Sequence, residues 1–363
     1  MNTFRSLLAA AGIAGIALIA LTACEEKPSK PSSTTPKPDD DSVVVDPALG
    51  KVLAASSASA AAAPAAVPDD GDGPPATGVF APERANATHA VGAPIHIEVG
   101  TLGAEPRVSL VPTSDDLPKS LSFTIATMMG ARASLPTVDM TFGLTVQKPK
   151  AKPADDAPLL ALPASSKLTK IALSAQQPGQ IPKEIADEVA KMKDSKMAWS
   201  FEPGGGLRIA SIDRAQKARP ELEHNLVAAL ETLAASAIVA PKDPVGVGAT
   251  WIARSRDVYG GLDFVSYRMV KVAKIEGDKV TLVVETRQYA ASSALRKPGL
   301  PEGQLVQFES LGAGEVVLVV GHRLAESGSF THGMKFGLRP PNTPENQVMP
   351  LVLQSTTTFP SAK

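Results

Sequence analysis

Apolar and polar residues alternate through most of the chain from about residue 95 onward. The longest uninterrupted case is 138–146, where apolar side chains at every second position are separated by Asp139, Thr141, Gly143 and Thr145. A period of two residues places the apolar side chains on one face of a strand. The pattern therefore predicts an antiparallel sheet with one covered face and one more open face.

The same alternation, with turn residues between the segments, predicts a series of strands. One pair is a hairpin around the sequence PGGG at 203–206, and another turns at Gly277-Asp278, a tight-turn dipeptide. The predicted strands are 95–99, 121–129, 138–146, 168–174, 197–201, 207–212, 251–256, 264–275, 279–289, 305–311, 315–320, 325–335 and 349–358.

Helical spacing occurs in two places. Residues 182–195 begin with a proline and repeat apolar residues every three or four positions, with charged residues between them. A second helix begins near Pro220 and ends before Pro241, with an apolar stripe formed by Leu222, Leu226, Leu230, Leu233 and Ala237. These elements predict an α+β fold, a mainly antiparallel, curved β-sheet with two amphipathic helices.

The chain before the strands has a different composition. Residues 24–90 are rich in Pro, Ala, Ser, Asp and Lys, with few bulky apolar side chains to offset the entropy lost on ordering. We predict a disordered tether over 24–90 and a β-rich globular domain over 91–363. A proline-rich excursion at 148–163 indicates a surface loop, so the domain is either single or divided into two subdomains near 150–165.

The first residues have the three parts of an export signal. Arg5 supplies a positive charge, residues 7–21 are apolar or small, and the segment ends in Leu21-Thr22-Ala23-Cys24. This ending resembles the lipobox of bacterial lipoproteins, which implies a signal peptide over 1–23 and lipidation of Cys24. The resemblance also implies a membrane partner through the lipid anchor. Glu25, where Asp would favour the inner membrane, implies the outer membrane.

Composition narrows the function classes. Cys24 is the only cysteine, so the exported domain has neither a disulfide nor a thiolate metal site. Lys and Arg number 36 against 37 Asp and Glu, and aromatic residues are 4% of the chain. This balance provides no basic field for nucleic acid, and we expect no nucleic-acid partner.

Residues capable of chemistry are scattered. The histidines lack the close spacing of a metal pair, and no serine lies in a G-x-S-x-G elbow, so we nominate no catalytic, cofactor or metal residue. Histidines 322 and 332 could meet across strands, but surface or turn positions are favoured. Glycine clusters at 204–206, 246/248 and 312/314 are assigned to turns and bulges. Candidate strand carboxylates, taken as solvent-facing, are Glu98, Asp139, Asp213 and Glu285, and Trp199 and Trp251 are taken as core anchors.

Residues 244–251 (PVGVGATW), between a helix and long strands, resemble uncharacterised bacterial lipoproteins and secreted proteins of the domain-of-unknown-function type. The general plan is also similar to that of periplasmic lipoprotein carriers, in which helices fill a curved sheet. We expect a non-catalytic envelope lipoprotein with a structural or binding role. The alternatives are a carrier or sensor of an apolar ligand such as a lipid, and a hydrolase with dispersed residues. The expected partners are an apolar ligand or an envelope protein.

Overall fold

The computed structural model of the chain describes residues 75–114, 117–129, 133–134, 136–147, 161–174, 181–259, 261–295, 303–344 and 347–360. These residues belong to one compact unit that begins at Pro74. The predicted signal peptide, Cys24, most of the predicted tether and residues 148–160 of the proline-rich excursion lie outside the described residues.

Fourteen strands form one sheet, and all pairings between these strands are antiparallel in the described residues. In chain order the strands are β1 (His96–Thr101), β2 (Ser120–Met129), β3 (Ala133–Ser134), β4 (Thr137–Val146), β5 (Leu162–Ser174), β6 (Lys196–Phe201), β7 (Leu207–Asp213), β8 (Thr250–Tyr259), β9 (Leu262–Glu276), β10 (Lys279–Ala290), β11 (Ala294–Leu295), β12 (Gly303–Val319), β13 (Ala325–Arg339) and β14 (Met349–Pro360). The order across the sheet is β1-β8-β9-β10-β12-β13-β14-β2-β4-β5-β6-β7, with β11 beside β12 and β3 beside β2.

The predicted antiparallel, curved sheet is confirmed. Alternation decides which face is buried: in β10 every second residue from Val280 to Ala290 is buried. One prediction was wrong: the two strands placed at 305–311 and 315–320 are the single strand β12. Its pairing with β13 runs without a shift from Gln307 to Val317, because Gly312 and Gly314 lie in extended backbone rather than in a turn.

Three α-helices are present among the described residues, where two amphipathic helices were predicted. They are α1 (Pro82–Thr88), α2 (Lys183–Ala190) and α3 (Glu223–Ser236), the last preceded by a 3-10 turn at Pro220–Leu222. Helix α2 is shorter than predicted and buries only Val189, whereas α3 buries every residue from Asn225 to Ser236. The apolar stripe of α3 is therefore only part of its buried surface.

The sheet curls around α3, which packs against strands β2, β7, β13 and β14. Strand β7, at one end of the sheet order, also approaches β8. Two apolar clusters fill the interior, and α3 contributes to both: Leu230 belongs to the larger cluster and Val227 to the smaller. Both tryptophans lie in the larger cluster, as predicted for core anchors, and Trp251 Nε1 donates to the Val239 carbonyl at 2.7 Å.

The first described residues cover the outer face of the sheet. Phe80 donates a backbone hydrogen bond to Ala290, and the Phe308 amide donates one to Thr77. Helix α1 then lies over Arg256, whose guanidinium binds both carboxylate oxygens of Asp263 at 2.9 Å. Residues 75–90 were predicted to belong to the tether, but they are part of the compact unit because these contacts hold them.

No helix in the part of the chain that the structure describes is both long enough and apolar enough to cross a membrane.

Candidate functional site

Polar side chains interrupt the apolar interior where α3 faces the middle of the sheet. We call five of them the polar ring: Glu231 on α3, Tyr259 on β8, Gln288 on β10, Ser310 on β12 and His332 on β13. Strand alternation turns the last four inward, because each shares its parity with buried residues of the same strand. All five are buried, with between 2% and 8% of their surface exposed.

Hydrogen bonds join neighbouring members of the polar ring. Tyr259 Oη donates to Glu231 Oε1 at 3.2 Å, and Gln288 Nε2 donates to Tyr259 Oη at 3.0 Å. Ser310 Oγ donates to Gln288 Oε1 at 2.7 Å and also lies 2.7 Å from His332 Nε2. These bonds connect four strands of the sheet to the helix that the sheet encloses.

A close charge contact completes the circle. His332 Nδ1 lies 2.6 Å from Glu231 Oε2, and both side chains are at least 95% buried. This distance is that of an ion pair, but the contact does not meet the geometry of a hydrogen bond, and Oε2 has no hydrogen-bond partner among the described residues. A carboxylate and an imidazole this close and this shielded attract strongly when the imidazole is protonated.

Two glycines make space for the histidine. Gly312 is the register partner of His332, and a Cβ on Gly312 would lie 2.5 Å from Phe330 Cζ and 3.3 Å from His332 Cδ2. A Cβ on Gly314 would lie 2.2 Å from the Ser329 carbonyl oxygen. The predicted turn glycines therefore leave room on β12 for the stacked rings of Phe330 and His332.

Further polar groups continue from the ring toward β7 and β8. Burial raises the pKa of the Asp257 carboxyl, although a hydrogen bond from Ser255 and the charge of Arg268 oppose the shift. Burial also lowers the pKa of the Arg268 guanidinium, whose Nε has no hydrogen-bond partner among the described residues. Burial, with the charges of Glu231 and Asp257, raises the pKa of Tyr259 well above its ordinary value, which keeps the phenol proton available as a donor.

Two small cavities adjoin the Glu231–His332 pair. The β14 cavity lies between α3, β2, β13 and β14. It is lined by Thr127, whose hydroxyl has no hydrogen-bond partner in the part of the chain that the structure describes. The β9 cavity lies between α3, β7 to β10 and β13, and includes Arg268 and Thr286. Each offers about 20 Å³ to the centres of water molecules. That space holds about one ordered water and is far smaller than an ordinary ligand pocket.

The order Ser310–His332–Glu231 resembles that of a hydrolytic triad, but Ser310 also hydrogen-bonds to Gln288. When Gln288 Oε1 faces Ser310, the serine donates its only proton to that oxygen, so the hydrogen bond to His332 must come from Nε2–H. A general base needs a free nitrogen facing the serine, and His332 offers one only when the Gln288 amide is turned over. In either orientation Ser310 is buried, with 2% of its surface exposed.

The structure separates the two histidines that were predicted to be able to meet. His322 is exposed in the turn before β13, as a surface or turn position requires, but His332 is buried within β13. His89 is buried beside α1, where burial and the charge of Arg254 lower its pKa. His224 lines the β14 cavity, and His96 is exposed on β1.

The four candidate carboxylates do not meet one another in the polar ring. Glu98 and Asp213 are exposed, and Glu285 is half-buried. Asp139 accepts hydrogen bonds from Thr124 and Ser174 on neighbouring strands. In the described residues, no three His, Cys, Asp or Glu side chains are grouped closely enough to hold a metal ion.

Of the five ring residues only His332 was considered from the sequence, because the five are far apart in the chain. One signal was available in the sequence. Gln288 and Ser310 are polar residues at positions where the alternation of their strands calls for an apolar side chain on the buried face. Glu231 falls one position after Leu230 in the predicted apolar stripe, within a helix that was expected to expose its other face.

Comparisons with known proteins give little further information. The chain matches no protein-family model, and no curated protein matches it. One matching solved structure concerns lipid–protein interactions in lipovitellin, with 10% sequence identity and a TM-score of 0.39. The match covers 68% of this chain and 25% of the lipovitellin chain, so this chain spans about a quarter of that protein. A likeness this distant carries no argument about function.

Proposed function

We propose that the protein is a non-catalytic, lipid-anchored envelope lipoprotein with a structural or binding role. Cys24 carries the anchor, and the outer membrane is favoured over the inner membrane. One observation carries the proposal for the folded unit. The polar interior around Glu231 and His332 offers about 20 Å³ to water centres in each adjoining cavity, so a substrate cannot reach these groups. Contacts with a partner are then made on the outer surface.

The geometry of the ring argues against the hydrolase alternative. Ser310 has 2% of its surface exposed, and its hydroxyl is hydrogen-bonded to both Gln288 and His332. A nucleophilic serine requires a base that is ready to accept its proton and a position for the reacting carbonyl within about 3 Å. The second requirement is not met while α3 occupies the interior, because the adjoining cavities hold about one water each.

The anchor is tested by metabolic labelling with a palmitate analogue. We expect the wild-type chain to be labelled and to partition with membranes, and the Cys24→Ala chain to be unlabelled. Ser32→Ala, a substitution in the predicted tether, is the matched control and should label like the wild type. Equal labelling of the wild-type and Cys24→Ala chains would refute lipidation at this cysteine.

Carriage of an apolar ligand is the second candidate, and α3 is the feature that favours it. This helix occupies the concave side of the sheet and presents apolar residues to both apolar clusters, so its displacement would open an apolar surface on the sheet. Native mass spectrometry of the full chain, released gently from membranes, would detect such a ligand. A stoichiometric lipid bound to the folded unit, retained in the Cys24→Ala chain, would favour the carrier over the non-catalytic structural role.

A further inference from the structure

We propose that the polar ring is a proton-dependent latch: one extra proton, shared by His332 and Glu231, holds α3 inside the curved sheet. The ring connects α3 with β8, β10, β12 and β13 through four hydrogen bonds and one ion contact. A latch of this kind makes the attachment of the helix depend on pH without any bound ligand.

The number of protons follows from the donors and acceptors. Each of the four hydrogen bonds uses one proton, and the close approach of His332 Nδ1 to Glu231 Oε2 is attractive only if one of these two groups carries a further proton there. The ring therefore needs five protons. Tyr259, Ser310 and a neutral His332 have one each to give, Gln288 directs one N–H into the ring, and Glu231 as a carboxylate has none. When Gln288 Oε1 faces Ser310, the fifth proton lies on His332, which becomes an imidazolium. Turning the amide over moves this proton to Glu231 and leaves the total unchanged.

The surroundings of the ring favour the state in which the charges of Glu231 and His332 add up to zero. The charged and titratable groups that face the ring are His224 on α3, Asp257 on β8 and Arg268 on β9, besides the ring members themselves. The cavity-lining residues of β2, β7 and β14 are uncharged. Removing the extra proton would leave a net negative charge among groups that burial shields from water, a costly state.

The attachment of α3 should therefore weaken as pH rises. The closed ring binds one proton more than the same side chains with a neutral imidazole and a carboxylate, so the folded state takes up a proton when the ring closes. Stability then falls with increasing pH over the range in which this proton is lost. One proton corresponds to a change of up to about tenfold in the unfolding equilibrium constant per pH unit.

The test compares pH-dependent unfolding of the full chain with that of His332→Gln. Both chains carry His89→Gln, which removes the other buried histidine. Denaturant unfolding between about pH 5 and about pH 8 covers the range in which imidazoles titrate. We expect the free energy of unfolding to fall more steeply with increasing pH for the parent chain than for His332→Gln. The difference between the two slopes should correspond to the release of up to one proton. Asp257→Asn in the parent background is the control, because it removes the nearby buried carboxyl and should leave this difference intact.

Nitrogen NMR of the labelled full chain supplies a readout that does not depend on the variant folding. We expect both ring nitrogens of His332 to be protonated near pH 6, or the carboxyl of Glu231 to be protonated with a neutral imidazole. A neutral imidazole beside a carboxylate at that pH would overturn the proposal. Equal pH slopes for the parent chain and a folded His332→Gln chain would overturn it as well.

Discussion

Helices α2 and α3 have similar apolar spacing in the sequence but opposite environments in the structure. Helix α2 lies on β5, exposes Lys183, Glu184 and Asp187, and buries only Val189. Helix α3 is buried on every side from Asn225 to Ser236 because the sheet curls around it. The comparison shows that apolar spacing identifies a helix, whereas the distant strands decide whether its remaining faces meet water.

Shortening an apolar side chain should give the largest difference in stability between variants of α3 and variants of α2. Leu230→Ala in α3 should lower the free energy of unfolding by about 4 kcal/mol, because Leu230 is fully buried and its surroundings cannot collapse easily. Ile185→Ala in α2, half-buried at the surface, should cost about 1 kcal/mol. Denaturant unfolding measures both values, and equal losses would contradict the enclosure of α3.

Removing a carboxylate should likewise destabilise the protein more in α3 than in α2. Glu231→Gln leaves His332 without its counter-charge in the interior and should cost about 3 kcal/mol. Glu188→Gln in α2 removes a surface pair with Lys191 and should change stability by less than about 0.5 kcal/mol. Thermal and denaturant unfolding should agree on this order. The idea fails if the Glu231→Gln chain is as stable as the Glu188→Gln chain.

Adding a methyl group to a glycine should cost more stability on the inner face of the sheet than on the outer face. Gly312→Ala should destabilise the protein by about 2 kcal/mol, because the new Cβ would enter the ring of Phe330. Gly333→Ala, on the adjacent strand, has its nearest neighbour at 4.0 Å and should change stability by less than about 0.5 kcal/mol. A Gly312→Ala chain with wild-type stability would mean that the space beside Phe330 is not filled.

The smallest expected effect concerns the two buried histidines. The pKa of His89 is lowered, chiefly by burial, so its folded-state pKa lies below its unfolded value of 6.5. Burial of the neutral imidazole therefore contributes to stability above pH 6.5, and this contribution is lost as pH falls through the lowered pKa. His89→Gln should therefore reduce the loss of stability at acid pH. The effect expected from His332 is the opposite one, a loss of stability as pH rises. Unfolding curves at successive pH values check it, and an unchanged acid limb would contradict it.

The sequence was sufficient to predict most strands because burial on one face of a sheet imposes a period of two. It was not sufficient for β12, since Gly312 and Gly314 are common in turns and their role depends on Phe330 in another strand. The polar ring escaped prediction for the same reason. Its members come from five elements between Glu231 and His332, and only the register of the sheet brings them together.

The attachment of residues 77–80 to the outer face has a mechanical consequence. A pulling force that enters from the N-terminal side is first carried by the backbone hydrogen bonds of Thr77, Gly78 and Phe80 with Ala290 and Phe308. The next element in the load path is α1, held by Arg256 through Asn86 and the His89 carbonyl. We expect these outer contacts to separate before the interior around α3 carries the force, so that pulling on the N-terminal side would detach the outer segment first.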